Sequence, residues 1–182
     1  MKNDPGESTN LADKFPEKTS GLAARLRAWR LKVAAQDMRA NPDYVPNPQG
    51  PDGNLTLPAK TADVHGVMLR YEPLPHKNTL GYWVRADDWA SWEFQITRPG
   101  QFRVEILQGC GTGSGGSEVE FAVGEQKLAM TVEETGGFQN FVRREIGAIQ
   151  LAQSGRFTLN VKPLTKPGVA VMDLREVRLL AQ

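Results

Sequence analysis

Residues 87–108, DDWASWEFQITRPGQFRVEILQ, decide the fold of this chain. They hold two alternating apolar runs: Ala90, Trp92, Phe94 and Ile96, then Phe102, Val104 and Ile106. Alternation with a period of two is typical of a half-buried β-strand. The Pro99-Gly100 pair between the runs predicts a turn, because proline presets φ and glycine accepts a positive φ. We therefore predict a β-hairpin with an aromatic face that a second sheet covers.

The chain after residue 55 continues this pattern, with about nine or ten short apolar segments separated by turn residues. Residues 119–123 and 128–132 alternate around a tight turn at Gly124-Glu125. The other candidate strands are residues 67–71, 79–84, 141–151, 157–161 and 169–180. Short strands at regular spacing, without an intervening helix, predict a mainly β protein built as a sandwich or barrel.

The N-terminal part differs, because it predicts one amphipathic helix over about residues 16–37. Pro16 suits the first helical position. One helical face then collects the apolar residues Leu22, Leu26, Trp29 and Val33. The proline-rich segment that follows, residues 41–54, predicts a linker. The predicted organisation is thus residues 1–40 with the helix, linker 41–54 and β-sandwich 55–182.

Composition excludes several classes of partner. The chain has 182 residues and a formal net charge of +1, so nothing favours a nucleic acid or an anionic membrane surface. No apolar run approaches the length of a membrane span. The N-terminus has no apolar region of the kind that marks a signal peptide.

The glycine-rich segment 109–116 contains a GxGxxG match at Gly111, Gly113 and Gly116. A dinucleotide site also requires a helix directly after the glycines, so that the pyrophosphate meets a helix N-terminus. Residues 118–123 alternate as a strand instead. We therefore predict a loop between strands and no nucleotide cofactor.

No residue pattern supports catalysis in this chain. Cys110 is the single cysteine, and no base or cation stands near it in sequence to stabilise a thiolate. His65 and His76 are the two histidines, and we predict that each is a lone surface residue near a turn. The acidic residues are scattered, so no paired-carboxylate site can be named.

Residues 1–44 resemble the C-terminal end of bacterial sulfatases of the arylsulfatase type. The resemblance lies in the run MKNDPGESTNLADKFPEK, a helix that ends near Trp29, and then NPDY. It implies that Met1 is an internal methionine of a longer sulfatase-like hydrolase with a periplasmic or extracellular location. The family's Cys-x-Pro-x-Arg signature is missing, since Gly111-Thr112-Gly113-Ser114 follow Cys110. The resemblance therefore concerns a non-catalytic tail.

Residues 55–182 resemble carbohydrate-binding modules of families 6 and 35, which have a galactose-binding-like jelly-roll fold. The ordered segments GYW, DDWASWEF, PGQFRV, a glycine-rich loop, TGGFQNF, SGRFTL and VMDL carry this resemblance. In the family, a first-strand Glu after Ala helps to bind a structural calcium ion, but here Lys60 follows Ala59. We expect Lys60 to replace that calcium by pairing with Asp173, and we expect no cofactor. The family's sugar-binding Asn falls near Val171.

The combined interpretation is a non-catalytic accessory module of a sulfatase-like hydrolase, with a jelly-roll β-sandwich that binds a glycan, which can be sulfated. The alternative is a structural module that has lost sugar binding and packs on the missing catalytic domain. A sugar site needs a flat apolar ring with polar groups at its edge. The candidates are Tyr82, Trp83, Phe138, Asn140 and Lys166. Tyr82 and Trp83 are adjacent, so only one can line a cleft if both lie in a strand.

Overall fold

The computed structural model describes residues 9–35, 41 and 44–182. The chain divides into two compact units, Met1–Tyr44 and Val45–Gln182, and each is described by itself. In the described part of the chain, no helix is both long enough and apolar enough to cross a membrane.

The described part of the first unit contains one helix, α1, at Pro16–Lys32. It ends before the predicted limit at residue 37, and residues 36–40 lie outside the described residues. Ala34 has a φ of 51°, and the N–H of Ala35 bonds to the Arg30 carbonyl while that of Ala34 bonds to Leu31. This is a Schellman motif, which stops a helix with one left-handed residue. The sequence concealed it because alanine, and not glycine, takes that position.

The second unit is a jelly-roll sandwich of two antiparallel sheets, as predicted. The first sheet has the order β3-β4-β11-β6-β9, and β1 also pairs with β11. The second sheet has the order β2-β5-β10-β7-β8. The strands are β1 Leu55–Pro58, β2 Asp63–His65, β3 Arg70–Glu72, β4 Thr79–Gly81, β5 Trp89–Ile96, β6 Gly100–Cys110, β7 Glu118–Val123, β8 Gln126–Thr131, β9 Gly137–Leu151, β10 Gly155–Pro163 and β11 Asp173–Ala181.

The predicted hairpin between β5 and β6 is wrong. β5 pairs with β2 and β10, whereas β6 pairs with β9 and β11, so residues 97–99 cross from one sheet to the other. Alternation and a Pro-Gly turn fit a sheet-to-sheet crossing as well as a hairpin, because neither feature specifies the hydrogen-bond partner. Both apolar runs are buried in one core, which confirms that a second sheet covers the aromatic face.

Two other predicted strands are shorter than expected, while the β7–β8 hairpin is confirmed. Val123 pairs with Gln126 across Gly124-Glu125, and Gly124 has a φ of 58°. The segment 67–71 contributes only its end to β3, and 79–84 contributes only its first three residues to β4. Residues of both shortened segments form hydrogen bonds with Asp88.

The carboxylate of Asp88 organises the loop before β3. Its Oδ1 accepts the N–H of Val67 at 2.9 Å, and its Oδ2 accepts those of Met68 and Leu69, both at 2.8 Å. The residue is 1% exposed, and Trp83 Nε1 donates to its backbone oxygen at 2.8 Å. These amides cannot join a strand ladder while they bind the carboxylate, which explains why β3 begins late.

Residues 45–54, which were predicted as linker, belong to the compact unit of the sandwich. Gln49 Oε1 accepts the backbone N–H of Thr97 at 3.0 Å and that of Arg98 at 2.8 Å. Gln49 Nε2 donates to the Gly53 carbonyl at 2.7 Å. The prolines prevent regular structure in this segment, but the Gln49 side chain accepts the hydrogen bonds of two backbone N–H groups in the β5–β6 crossing.

We expect the chain truncated to residues 45–182 to unfold cooperatively, and the chain truncated to 55–182 to melt at a lower temperature. The shorter chain loses the Gln49 hydrogen bonds, which leaves two N–H groups of the crossing without a protein partner. Calorimetry on both truncated chains and on Gln49→Ala of the full chain checks this. Equal melting temperatures for the two truncated chains would contradict it.

We expect Asp88→Asn to lower the free energy of unfolding by about 2–3 kcal/mol, the scale of hydrogen bonds to a charged group. Burial by itself raises the pKa of Asp88, but the backbone N–H groups of Val67, Leu69 and Met68 and the charge of Arg85 outweigh it and lower the pKa. The contribution is therefore present above the unfolded pKa of about 4 and is lost as pH falls through the lower folded pKa.

Urea unfolding at pH 7 and pH 3 measures this effect, and Asp87→Asn is the matched control because the Asp87 side chain is 89% exposed. A destabilisation of equal size in both variants, or one that is as large at pH 3 as at pH 7, would count against the carboxylate clamp.

Candidate ligand-binding cleft

A cleft of about 230 Å³ lies on the sandwich where several loops meet. Its walls come from β3 and the loop after it, the segment after β4, the start of β9 and the segment that leads into β11. The lining residues are Glu72, Lys77, Tyr82, Val84, Phe138, Gln139, Val169, Ala170 and Asp173. The cleft combines two aromatic rings with charged and amide groups, so it can contact both the apolar face and the polar edge of a ligand.

Tyr82 is the exposed aromatic residue of the cleft, with 44% of its surface accessible. It has a φ of 56°, a left-handed conformation that is uncommon for a bulky residue and ends β4 at Gly81. The Arg70 guanidinium lies 3.5 Å from the centroid of its ring. This cation–π contact holds the ring in place while much of the side chain stays accessible.

Trp83 is a core residue, so its assignment as a sugar-binding candidate is wrong. It is fully buried, and its carbonyl oxygen accepts the N–H of Val171 at 2.8 Å. Of the two residues only Tyr82 lines this cleft, and the cause is a left-handed residue and not strand alternation. Trp83 instead fixes the segment that carries Val169 and Ala170 into the cleft wall.

Phe138 is the second aromatic residue of the cleft lining and is half-buried. Thr135 anchors its loop, because Thr135 Oγ1 accepts the N–H of Cys110 at 2.8 Å and donates to the Gly137 carbonyl at 3.0 Å. The ring packs over Gly111, where an added Cβ would lie 2.6 Å from Phe138 Cε2. Glycine is needed at position 111 to give the ring this place.

Asn140 and Lys166 do not line the cleft. Asn140 Nδ2 donates to the Thr135 carbonyl at 3.3 Å, so it supports the loop that carries Phe138. Lys166 Nζ donates to the carbonyls of Gly168 at 2.7 Å and Val169 at 3.2 Å, so it supports the opposite wall. Asn140 lies in β9 and Lys166 in the segment between β10 and β11, and each supports a cleft residue through a hydrogen bond to the backbone.

Two carboxylates, of Glu72 and Asp173, lie in the cleft, and the sequence reasoning missed them as a pair. Glu72 forms an ion pair with Lys77 at 2.7 Å. Asp173 is 5% exposed. Burial, followed by the charge of Glu72, raises the pKa of Asp173 to about 7, against the opposing charges of Lys77 and Arg175. Glu72 and Asp173 are separated by 100 residues in the chain. They come together because β4 pairs with β3, which carries Glu72, and with β11, which carries Asp173.

The predicted salt bridge between Lys60 and Asp173 is wrong. Lys60 is exposed on a 3₁₀ turn at Ala59–Thr61, and no ion pair joins it to Asp173 among the described residues. The described residues also contain no group of three or more His, Cys, Asp or Glu side chains that could hold a metal ion. Lys60 brings an ammonium group to the position where the family resemblance implies a calcium-binding Glu, which disfavours a calcium ion at that position.

The remaining chemically reactive residues lie outside the cleft lining. Cys110 is fully buried, and burial followed by the charges of Glu134 and Asp173 raises the pKa of its thiol, so the thiolate is disfavoured. The prediction for His65 is wrong, because it is half-buried in β2, stacks on Trp89 with ring centroids 3.7 Å apart, and bonds through Nε2 to Ser91. The glycine-rich segment is a loop followed by β7, as predicted.

We expect the Asp173 carboxyl to make the protein less stable as pH rises from about 4 to about 7. Its folded pKa lies above its unfolded pKa, so its contribution is fully present below the unfolded pKa and is lost as pH rises through the folded pKa. The melting temperature of the wild type should therefore fall over this interval. Asp173→Asn should remove most of that fall, and a slope in the variant equal to that of the wild type would contradict the assignment.

Comparison with solved structures supports the fold assignment for the second unit. The C-terminal family 6 carbohydrate-binding module of LamC, a laminarinase from Zobellia galactanivorans, matches with a TM-score of 0.56 and 16% identity, over 70% of this chain and 98% of the module. The family 35 module of Cellvibrio japonicus Abf62 matches with a TM-score of 0.57 and 11% identity, over 70% and 93%.

A family 6 module of Cellvibrio mixtus lichenase 5A, solved in complex with cellotriose, matches with a TM-score of 0.51 and 19% identity, over 70% of this chain and 96% of the module. At these identities the likeness establishes the fold alone. No family model matches the chain. No curated protein matches it either, so the resemblance of residues 1–44 to sulfatases has no support from these comparisons.

Proposed function

We propose that the second unit is a glycan-binding module and that the cleft between Tyr82 and Phe138 holds the sugar. The observation that carries the proposal is the placement of these two accessible aromatic rings in one cleft, with Glu72, Gln139 and Asp173 beside them. A pyranose presents an apolar C–H face and a rim of hydroxyl groups. Aromatic walls with polar neighbours satisfy both requirements.

The cleft's size and rigidity also fit this role. A volume of about 230 Å³ is smaller than the pockets of about 300–1,000 Å³ that enclose drug-sized ligands, which fits an open cleft that holds a single sugar residue. Arg70 holds the Tyr82 ring, and the Thr135 hydrogen bonds hold the Phe138 loop. Walls that are fixed before binding reduce the entropy that binding costs.

The parent enzyme and the sulfate group of the ligand are two further points. We retain a sulfatase-like parent enzyme, which rests on the resemblance of residues 1–44; an in-frame Cys-x-Pro-x-Arg segment upstream in the genomic sequence would support it. We do not retain the sulfate group on the ligand. Lys77 is paired with Glu72 and Lys166 with two carbonyls, and the Arg70 guanidinium lies over the Tyr82 ring, so no observation singles out a cation for a sulfate.

We expect Tyr82→Ala and Phe138→Ala to reduce glycan binding at least tenfold. Tyr82→Ala should change the melting temperature little, because the ring is 44% exposed and its left-handed backbone is strained. Phe138→Ala should cost less than the 3–5 kcal/mol typical of a fully buried phenylalanine, because its ring is half-buried. A glycan array followed by calorimetry on the best ligand provides the measurement.

Trp29→Ala is the control, because Trp29 is 58% exposed on α1 and does not line the cleft. It should leave both binding and stability unchanged. Binding that survives both cleft substitutions would place the sugar elsewhere. If no glycan binds, the alternative of a structural module without sugar binding is favoured.

A further inference from the structure

The two carboxylates in the cleft face one point of the backbone. A Cβ added to Gly81 would lie 2.5 Å from Glu72 Oε2 and 3.2 Å from Asp173 Oδ1. Two acidic oxygens therefore approach the same bare glycine, and like charges at this separation repel each other unless a cation or a proton intervenes.

The positive charges near this pair are already used. Lys77 bonds to Glu72 at 2.7 Å. Arg175 donates to the carbonyls of His76 and Lys77, and its guanidinium lies 3.7 Å from the centroid of the Phe141 ring. The ion pairs of the described residues thus leave Asp173 without a bonded cation.

One oxygen of Asp173 also lacks a donor. Oδ2 is buried, and none of the described residues donates a hydrogen bond to it. A buried carboxylate oxygen without a donor is costly, because it has lost its hydration and gained nothing in return. Asp173 lines the cleft, so a bound ligand can contact the part of this carboxylate that remains accessible and can bring the positive charge that it lacks.

We infer, resting on the proposed function, that the module prefers glycans with a free amino group, whose ammonium donates to Asp173 between Tyr82 and Phe138. An ammonium carries three donors and a positive charge, and charge-assisted hydrogen bonds are about twice as strong as neutral ones. A hydroxyl group at the same position supplies one neutral donor. An N-acetyl group supplies no charge, and a sulfate or carboxylate is repelled by Glu72 and Asp173.

The test compares sugars that differ only in this group. Binding of the full chain is measured by calorimetry and NMR titration at several pH values from 6 to 8, across the titration of Asp173, with a β-1,4-glucosamine tetramer against cellotetraose, which has hydroxyl groups in place of the amines. Methyl galactosaminide against methyl galactoside provides a second pair. We expect the amino sugar to bind about tenfold more tightly than its hydroxyl counterpart, which corresponds to about 1.4 kcal/mol.

Asp173→Asn should bring this ratio close to one, whereas Asp87→Asn, an exposed carboxylate outside the cleft, should keep it. The wild-type ratio decides the question even if the Asp173 variant folds poorly. Equal or tighter binding of the neutral sugar, dependent on Tyr82, would overturn the inference and leave the proposed function standing. A preference that survives Asp173→Asn would also overturn it. If neither these sugars nor any glycan on an array binds, the proposed function fails as well.

Discussion

The bonding of three consecutive backbone amides to one buried carboxylate, that of Asp88, is the constraint on which the cleft depends. A carboxylate removed from water is tolerated only with donors around it, and the N–H groups of 67–69 supply them. The backbone oxygen of the same residue takes the Trp83 indole. Gly66 is needed beside it, because a Cβ there would collide with the carboxylate. One acidic residue thus fixes the loop before β3 and the indole that anchors the segment after β4.

Trp83 connects Asp88 to the ligand site. The indole is held at its nitrogen, and the Trp83 carbonyl holds Val171. Tyr82 precedes this immobile residue and turns outward through a left-handed backbone. The aromatic wall of the cleft is therefore built as a consequence of core packing, with Trp83 inside and Tyr82 outside. The buried Trp83 holds the backbone of its neighbour Tyr82 in the strained left-handed conformation.

The sequence was sufficient for the fold class and for most strands, because alternation reports burial directly. It failed where long-range pairing decides the structure. β5 and β6 were expected to pair, yet each bonds to strands elsewhere in the chain. The local sequence is enough to identify Tyr82 and Phe138 as candidates. It does not show that Trp83 is buried, because that depends on residues far away in the chain. Asp173 was singled out with the wrong partner, Lys60, because only the β11–β4 register shows that Glu72 is near it.

The pairing of β1 with β11 has a consequence for how this unit can be combined with others. Leu55 pairs with Leu179, the Ala181 N–H bonds to Asn54 Oδ1 at 3.0 Å, and Gln49 before them bonds to the β5–β6 crossing, so the first and last segments of the unit lie at the same end of the sandwich. Asp173, in the cleft, lies at the opposite end of β11, six residues or about 20 Å from Leu179 at the rise of a strand. A domain with adjacent ends can be inserted into a surface loop of a host protein without stretching it. Inserted in this way, the sandwich would be tethered at the end of β11 remote from its cleft, which leaves the ligand site facing away from the host.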